Sequence, residues 1–298
     1  MNEIFRRTAP ALLGLSLLLF RAGLSSAFAQ EPPYFVTYSQ ELEEPGNLEV
    51  ATKNAVGTPS GATRFGATAL ELEYGANAWW TTELYLDGQT TARDSTIFTG
   101  FRWENRLRPL NREHLINPVL YMEFENITGA DKALLEVVGH DAEDDLTGSN
   151  ADSRTERKHE AELKLILSSY VKDWNISENF IAEKNLGHAP WEFGYAVGAA
   201  RPLPGFARDR ACWYCASRIR IGAEAYGGLG DTGSLTLRDT SHYVAPVIAW
   251  QLPSRLRFSF SPGFGVTSTS LSHVYRIGIA AEFPQMGNLF RRSEGRSR

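Results

Sequence analysis

A strict alternation of apolar and polar residues is the feature that most constrains the fold of this chain. In residues 274–283, V-Y-R-I-G-I-A-A-E-F, the odd-numbered positions are apolar and the others from 276 onward are charged or small. A period of two is typical of a β-strand with one apolar and one polar face. The same pattern recurs along most of the chain, with little helix to cover the apolar faces. A closed barrel in lipid accommodates this pattern, because its apolar face points outward and its polar face inward.

The alternation divides the chain into about twelve segments, each close to the ~10 residues that a tilted membrane strand needs. They are residues 47–54, 64–74, 79–87, 96–106, 118–127, 158–170, 174–183, 191–200, 218–227, 242–251, 255–261 and 271–283. We therefore predict an all-β fold, a single antiparallel transmembrane β-barrel of about 12 strands. An even count keeps both ends of the barrel on one side, and we expect the N- and C-termini to be periplasmic.

The connections between these segments are consistent with a barrel in the outer membrane, where periplasmic turns are short and outer loops are longer. Residues 75–78, 171–173 and 252–254 have turn composition, and residues 128–157 form the longest connection. A competing interpretation makes residues 130–140 a short helix and residues 156–170 an amphipathic helix. We favour strands, because the neighbouring segments leave no core for a helix to cover.

The N-terminus carries an export signal. Arg6 and Arg7 precede an apolar run at residues 9–20, and A-F-A at residues 27–29 fits a cleavage site. We predict a signal peptide at residues 1–29, a periplasmic entry segment at 30–46, the barrel at 47–283 and a polar C-terminal tail at 284–298. The apolar run is too short for a membrane anchor. The net charge of −5 gives no reason to expect a nucleic-acid partner.

Two cysteines, Cys212 and Cys215, are spaced C-W-Y-C. The next residue is Ala216 rather than histidine, which excludes haem attachment of the C-x-x-C-H kind. Beyond the inner membrane disulfides are permitted. A disulfide that holds a turn, a free thiol pair and a redox dithiol remain the alternatives.

If the apolar faces meet lipid, the opposite faces line the lumen, and their side chains follow from strand parity. The predicted lumen and solute-path residues are Glu71, Glu73, Glu83, Arg102, Glu104, Arg106, Tyr121, Glu123, Glu125, Glu162, Lys164, Glu192, Arg220, Glu224, Arg257 and Arg276. Acidic and basic residues are interleaved across the strands. Such residues either pair and fill a closed barrel or line a hydrated path that selects solutes.

Signals for enzyme chemistry are weak. The six histidines are scattered, and no metalloprotease, phosphate-loop or G-x-S-x-G motif is present. In Ser241-His242 and Ser272-His273, adjacent strand residues point to opposite faces, which separates a nucleophile from its base. We therefore expect no catalytic residue, no metal site and no cofactor. The acidic residues at 141–145 are best explained as a surface loop, with a calcium site as the alternative.

The run R-I-G-I-A-A-E-F at residues 276–283 resembles the final-strand signal of bacterial outer-membrane β-barrel proteins. The segments L-E-L-E-Y-G at 70–75 and W-E-F-G-Y at 191–195 are similar to segments of barrel proteins associated with uptake of aromatic compounds. The resemblance to porin-like, transport-associated barrels implies the outer membrane of a Gram-negative cell as location. It also implies that outer-membrane lipid surrounds the protein and that the barrel-assembly machinery recognises residues 276–283.

These observations predict a passive channel for a small-molecule solute, in which the lumen carboxylates and arginines act as the selectivity filter. One alternative is a non-conducting structural or assembly barrel, its lumen filled by its own side chains or by residues 31–46. The others are a soluble periplasmic β-barrel that binds a ligand, and an enzyme at the outer leaflet.

Overall fold

The computed structural model describes residues 32–133, 137–140, 144–187, 189–203 and 218–286. The predicted signal peptide, both cysteines and residues 287–298 of the predicted tail lie outside them. The described chain forms twelve β-strands and two short helices. The strands are β1 (Leu48–Gly57), β2 (Phe65–Asn77), β3 (Trp80–Thr91), β4 (Thr96–Leu107), β5 (Asn117–Thr128), β6 (Arg157–Val171), β7 (Trp174–Asn185), β8 (Trp191–Pro202), β9 (Ile219–Asp231), β10 (His242–Gln251), β11 (Leu256–Gly265) and β12 (His273–Phe283). The helices are α1 (Asp144–Thr147) and α2 (Asn150–Ser153).

The strands form one closed antiparallel barrel. Each strand pairs with the next, and β12 pairs with β1 from Phe283 opposite Leu48 to Val274 opposite Gly57. The predicted barrel is therefore confirmed, and every predicted segment overlaps a strand. Several strands run up to four residues further than predicted. One reason is visible at Gly88, where the sequence indicated a turn and the structure continues β3 through a β-bulge.

The alternation of apolar and polar residues in the sequence corresponds to the outer and inner faces of the barrel wall. On β5, Leu120 and Met122 point outward and are 51% and 53% exposed, while Tyr121 and Glu123 point inward and are buried. Successive residues of a strand point to opposite sides, so one strand presents both faces. The large apolar side chains lie on the outside of the barrel and the charged ones inside.

Residues 157–171 form a strand, and the helical alternative for them is wrong. β6 pairs along its length with β5 and β7, which satisfies its backbone groups without a helix. Leu163 and Leu165 point outward, and Glu162 and Lys164 point inward. The two helices of the structure lie in the connection before β6 and are four residues long each. Among the described residues, no helix is both long enough and apolar enough to cross a membrane.

The two ends of the barrel differ in their connections. The end where β1 begins and β12 ends, called the terminal end here, has tight turns at residues 78–79, 172–173 and 252–255. Lys172 and Asp173 both have positive φ, 49° and 68°, as in a type I′ hairpin turn. The other end, called the loop end, carries the longest connection, residues 129–156. The side of the membrane that each end faces stays a prediction.

The lumen is occupied from both ends. Residues 32–43, called the N-terminal segment here, run into the barrel from the terminal end, so the predicted entry segment continues into the lumen. From the loop end, the described part of residues 129–156 folds inward. Phe35 and Val36 of the segment share a buried apolar cluster with Ala133, Val137 and Leu146 of this loop.

Candidate functional site in the barrel lumen

The outer surface of the barrel is suited to lipid. Exposed large apolar side chains such as Phe180, Phe260 and Ile277 are distributed around the strands. Two exposed tryptophans lie near strand ends, Trp174 at the terminal end and Trp191 at the loop end, as interfacial rings do. An apolar outer face around a polar interior is the arrangement of a membrane barrel. The chain is a β-barrel of the outer-membrane type.

All the predicted lumen residues lie at inward-facing positions of the strands. Most are buried, and Glu192, Arg220 and Arg257 are half-buried. The residues of β2 to β6 form one connected group, whereas those of β8, β9, β11 and β12 are more widely separated. Their role as a solute path stays a prediction.

Arg106 is the centre of the charged group. Its guanidinium pairs with the carboxylates of Glu73, Glu83 and Glu104 from three neighbouring strands. The distance from Arg106 Nε to Glu104 Oε1 is 3.0 Å. One planar guanidinium with several N–H donors can serve several carboxylates at once. This arrangement stiffens the β2–β4 wall.

Arg102 is the centre of a second set of charge pairs, which lies nearer the loop end. Arg102 Nε and Nη2 donate to the two oxygens of Asp87 at 2.8 and 3.1 Å, and Glu123 lies 3.7 Å from Arg102 Nη1. The guanidinium also stacks over the Tyr85 ring, 4.4 Å from its centroid. A bidentate pair of this kind fixes both side chains.

Lys164 connects the charged wall to the N-terminal segment. It pairs with Glu162 at 2.8 Å and lies 4.0 Å from the ring centroid of Tyr121 and 4.5 Å from that of Tyr38. The two rings meet edge to face at 5.0 Å. The Tyr38 hydroxyl donates to Glu104 Oε2 at 2.8 Å. Tyr38 is thus held by a cation, a ring and a carboxylate of the wall.

The strands on either side of the closure between β1 and β12 carry further charged and polar pairs. Lys53 pairs with Glu71 at 2.7 Å, and Arg257 Nη2 donates to Glu49 at 2.7 Å. Arg276, 2% exposed, donates to the hydroxyl of Tyr226, which stacks on Tyr243. Tyr243 therefore faces the lumen and not the membrane interface.

The carboxylate oxygens of Glu49, Glu71 and Glu73 lie within 4.8 Å of one another, the spacing of a metal site. Each of them already has a basic partner, Arg257, Lys53 or Arg106. These pairs account for the acidic cluster without a metal ion.

Main-chain groups of the N-terminal segment bind side chains of the far wall. The N–H groups of Phe35, Val36 and Thr37 donate to the carboxylate of Glu224 at 3.0, 2.8 and 2.7 Å. Asn179 then accepts from Tyr38 N at 2.6 Å and donates to Tyr38 O at 2.9 Å. The segment is held by its backbone along four successive residues.

Small residues of the wall make room for the aromatic rings of the segment. A Cβ on Gly198 would lie 2.6 Å from the Tyr34 ring, and one on Gly278 would lie 3.3 Å from the Phe35 ring. The Tyr34 hydroxyl donates to the Asn175 side-chain oxygen at 3.1 Å. Burial, and then the charge of Glu224, raise the pKa of Tyr34 far above its ordinary value, so the phenol remains a donor.

A cavity of about 80 Å³, partly open to solvent, remains between the N-terminal segment and the wall of β1 to β4, β11 and β12. Its charged lining comprises Glu41, Lys53, Glu71, Glu73, Glu83, Arg106 and Arg257. Five of the residues predicted for a solute path, Glu71, Glu73, Glu83, Arg106 and Arg257, therefore border the space that is still open.

No protein-family model matches the sequence, and no curated protein matches it either. Among solved structures, the chain is similar to a KdgM porin, with 7% identity and a TM-score of 0.45 over 79% of this chain and 99% of that one. It is similar to the NanC porin, with 12% identity and a TM-score of 0.44 over 78% and 98%. The translocator domain of the autotransporter NalP from Neisseria meningitidis has 9% identity and a TM-score of 0.39 over 93% and 95%. Similarities this low transfer neither a solute nor an activity to this chain.

Sequence reasoning missed several residues of the site, among them Lys53, Asp87, Asn179 and Tyr38. Lys53 and Asp87 have the same inward parity as the residues it identified, and that signal was available in β1 and β3. Asn179 is an uncharged inward residue of β7, and Tyr38 lies in a segment without alternation. The sequence carries no signal that brings these two together.

Proposed function

We propose that the protein is an outer-membrane channel for small solutes, closed in this structure by its N-terminal segment, and that solutes pass when the segment withdraws. The observation that carries this proposal is the segment's position in the lumen, beside a cavity of about 80 Å³ that is lined by charged residues and partly open to solvent. Most of the contacts described above between the segment and the wall are hydrogen bonds, which can exchange with water. The charged wall would select solutes by its field.

We propose that the protein acts without a catalytic Ser-His site. Ser241 Oγ donates to Thr269 O, whereas His242 contacts Tyr195 and Thr240. His273 stacks on Tyr275 on the outer face. These contacts agree with the argument from strand parity that neither sequence neighbour pair, Ser241-His242 or Ser272-His273, brings a nucleophile to its base.

Conductance in planar lipid bilayers tests the channel. The variant carrying Val36→Pro and Thr37→Pro, called the release variant here, removes two N–H donors from Glu224 and leaves the wall intact. The matched control, Val36→Ala with Thr37→Ala, keeps both donors. We expect stepwise openings from the release variant and far fewer from the wild type and the control.

A release variant that folds and inserts without conducting would contradict the channel and would identify the non-conducting barrel. Heat-modifiable migration in gels establishes folding before each recording.

A further inference from the structure

Glu224 is a buried wall carboxylate whose described hydrogen bonds all go to the N-terminal segment. Its side chain is 1% exposed, and its oxygens accept three successive main-chain N–H groups at 2.7–3.0 Å. A buried carboxylate without donors is strongly disfavoured. When the segment withdraws, Glu224 therefore needs either water or another group with several N–H donors.

The neighbouring wall residues also bind main-chain atoms. Asn179 forms a donor-acceptor pair with the N–H and C=O of Tyr38, and Arg106 Nη1 donates to Glu41 O at 3.2 Å. Three wall side chains thus contact four N–H groups and two carbonyls of one peptide segment. Main-chain contacts of this kind are available to any peptide, whatever its side chains.

One side-chain position is specific. The Tyr38 ring lies between Lys164 and Tyr121, and its hydroxyl reaches Glu104. A ring with a polar edge satisfies all three partners, which a small aliphatic side chain cannot do. A ligand of this site would therefore place an aromatic residue directly after the residues bound by Glu224.

We propose that the lumen is a peptide-binding site and that the N-terminal segment occupies it as a built-in ligand. Short peptides with an aromatic residue at the position of Tyr38 are then the solute class of the channel, a step that rests on the proposed function. Binding itself requires only that the segment can leave the site.

Peptide binding to the full-length release variant in detergent micelles tests this inference. The probe is a fluorescent synthetic peptide, P-P-Y-F-V-T-Y-S-Q-E-L-E, followed by fluorescence anisotropy. A second peptide has N-methyl groups on its F, V and T residues, which removes the donors to Glu224. A third has alanine at those three positions, which keeps the donors.

We expect the N-methyl peptide, which keeps its side chains, to bind at least tenfold more weakly than the parent peptide, because three charge-assisted hydrogen bonds are lost. The alanine peptide keeps those donors and should be weakened only by the lost apolar contacts of Phe35 and Val36. Adding Glu224→Gln to the release variant should weaken the parent peptide by a similar factor, while Glu178→Gln on the outer face should not. Equal binding of the N-methyl peptide, or no binding of the parent peptide, would overturn the inference.

The two proposals fail separately in these experiments. A release variant that conducts but binds no peptide contradicts the peptide site and leaves the channel standing. A release variant that binds peptide but does not conduct contradicts the channel and leaves the site standing.

Discussion

Arg106 neutralises more buried negative charge than any other single residue discussed above. We expect Arg106→Leu to lower the free energy of unfolding by about 3–5 kcal/mol, because the carboxylates of Glu73, Glu83 and Glu104 lose their common partner in a buried site. Urea titration of the barrel in lipid vesicles measures this change. Arg112→Leu, at an exposed position of the loop after β4, is the control and should change stability by less than about 0.5 kcal/mol.

Glu178 is the one acidic residue at an outward-facing position of β1 to β12. It lies between the exposed side chains of Ile176 and Phe180, and its strand neighbours on the same face are Leu167 and Val197. Replacement by leucine should stabilise the barrel in vesicles by about 1–2 kcal/mol, because lipid-facing charge is unfavourable. In the same unfolding assay, an unchanged or lower stability would show that this position does not face hydrocarbon.

Strand parity predicted the inward residues, and it did so without any knowledge of their partners. The structure places Arg102 and Glu123 at inward-facing positions of β4 and β5, as parity requires when each strand has only two faces. Strand parity could not predict that Glu224 would bind residues 187 to 189 positions earlier in the chain. That contact depends on a segment without periodicity, whose place in the barrel is set by packing and main-chain hydrogen bonds.

At the scale of whole elements, the N-terminal segment is held in the lumen partly because β8 offers it a glycine. Gly198→Val should displace Tyr34 and expose the segment, since even a Cβ would lie 2.6 Å from its ring. Limited chymotrypsin digestion in micelles should then cleave within residues 32–43 several-fold faster than in the wild type. The control is Gly66→Val, where an added Cβ meets nothing within 4 Å. Equal cleavage of both variants would contradict this role of Gly198.

The loop between β5 and β6 has a pH-sensitive contact with β4. Asp131 accepts a hydrogen bond from the Thr99 hydroxyl. Burial, and then the carboxylate of Asp87, raise the pKa of Asp131. The Thr99 hydrogen bond and the charge of Arg102 lower this pKa only in part. A raised pKa in the folded state favours the protonated form. The protonated Asp131 carboxyl contributes fully to stability at pH values below the pKa of aspartate in the unfolded chain, about 3.9. This contribution is lost as the pH rises through the pKa of Asp131 in the folded protein.

Melting temperatures measured from about pH 4 to pH 8 test this contact. The wild type should lose stability relative to Asp131→Asn as the pH rises, because only the wild type buries an ionised carboxylate at position 131. Parallel curves for the two proteins would contradict a raised pKa at Asp131.

At the scale of the whole molecule, the distribution of charge along the open cavity decides which ions an open channel passes. Glu41 leaves with the N-terminal segment, and the remaining lining has three carboxylates, Glu71, Glu73 and Glu83, and three bases, Lys53, Arg106 and Arg257. The carboxylate of Glu224, which then loses its three N–H donors, gives the open lumen an additional negative charge. We therefore expect the release variant to be cation-selective, with a reversal potential in a KCl gradient that moves toward the equilibrium potential of potassium.

Adding Glu71→Gln and Glu73→Gln should reduce the shift of the reversal potential, whereas Glu178→Gln should not. Selectivity should weaken at about 1 M salt, where the Debye length falls to about 3 Å. Anion selectivity at low salt would show that ions follow a route outside this cavity.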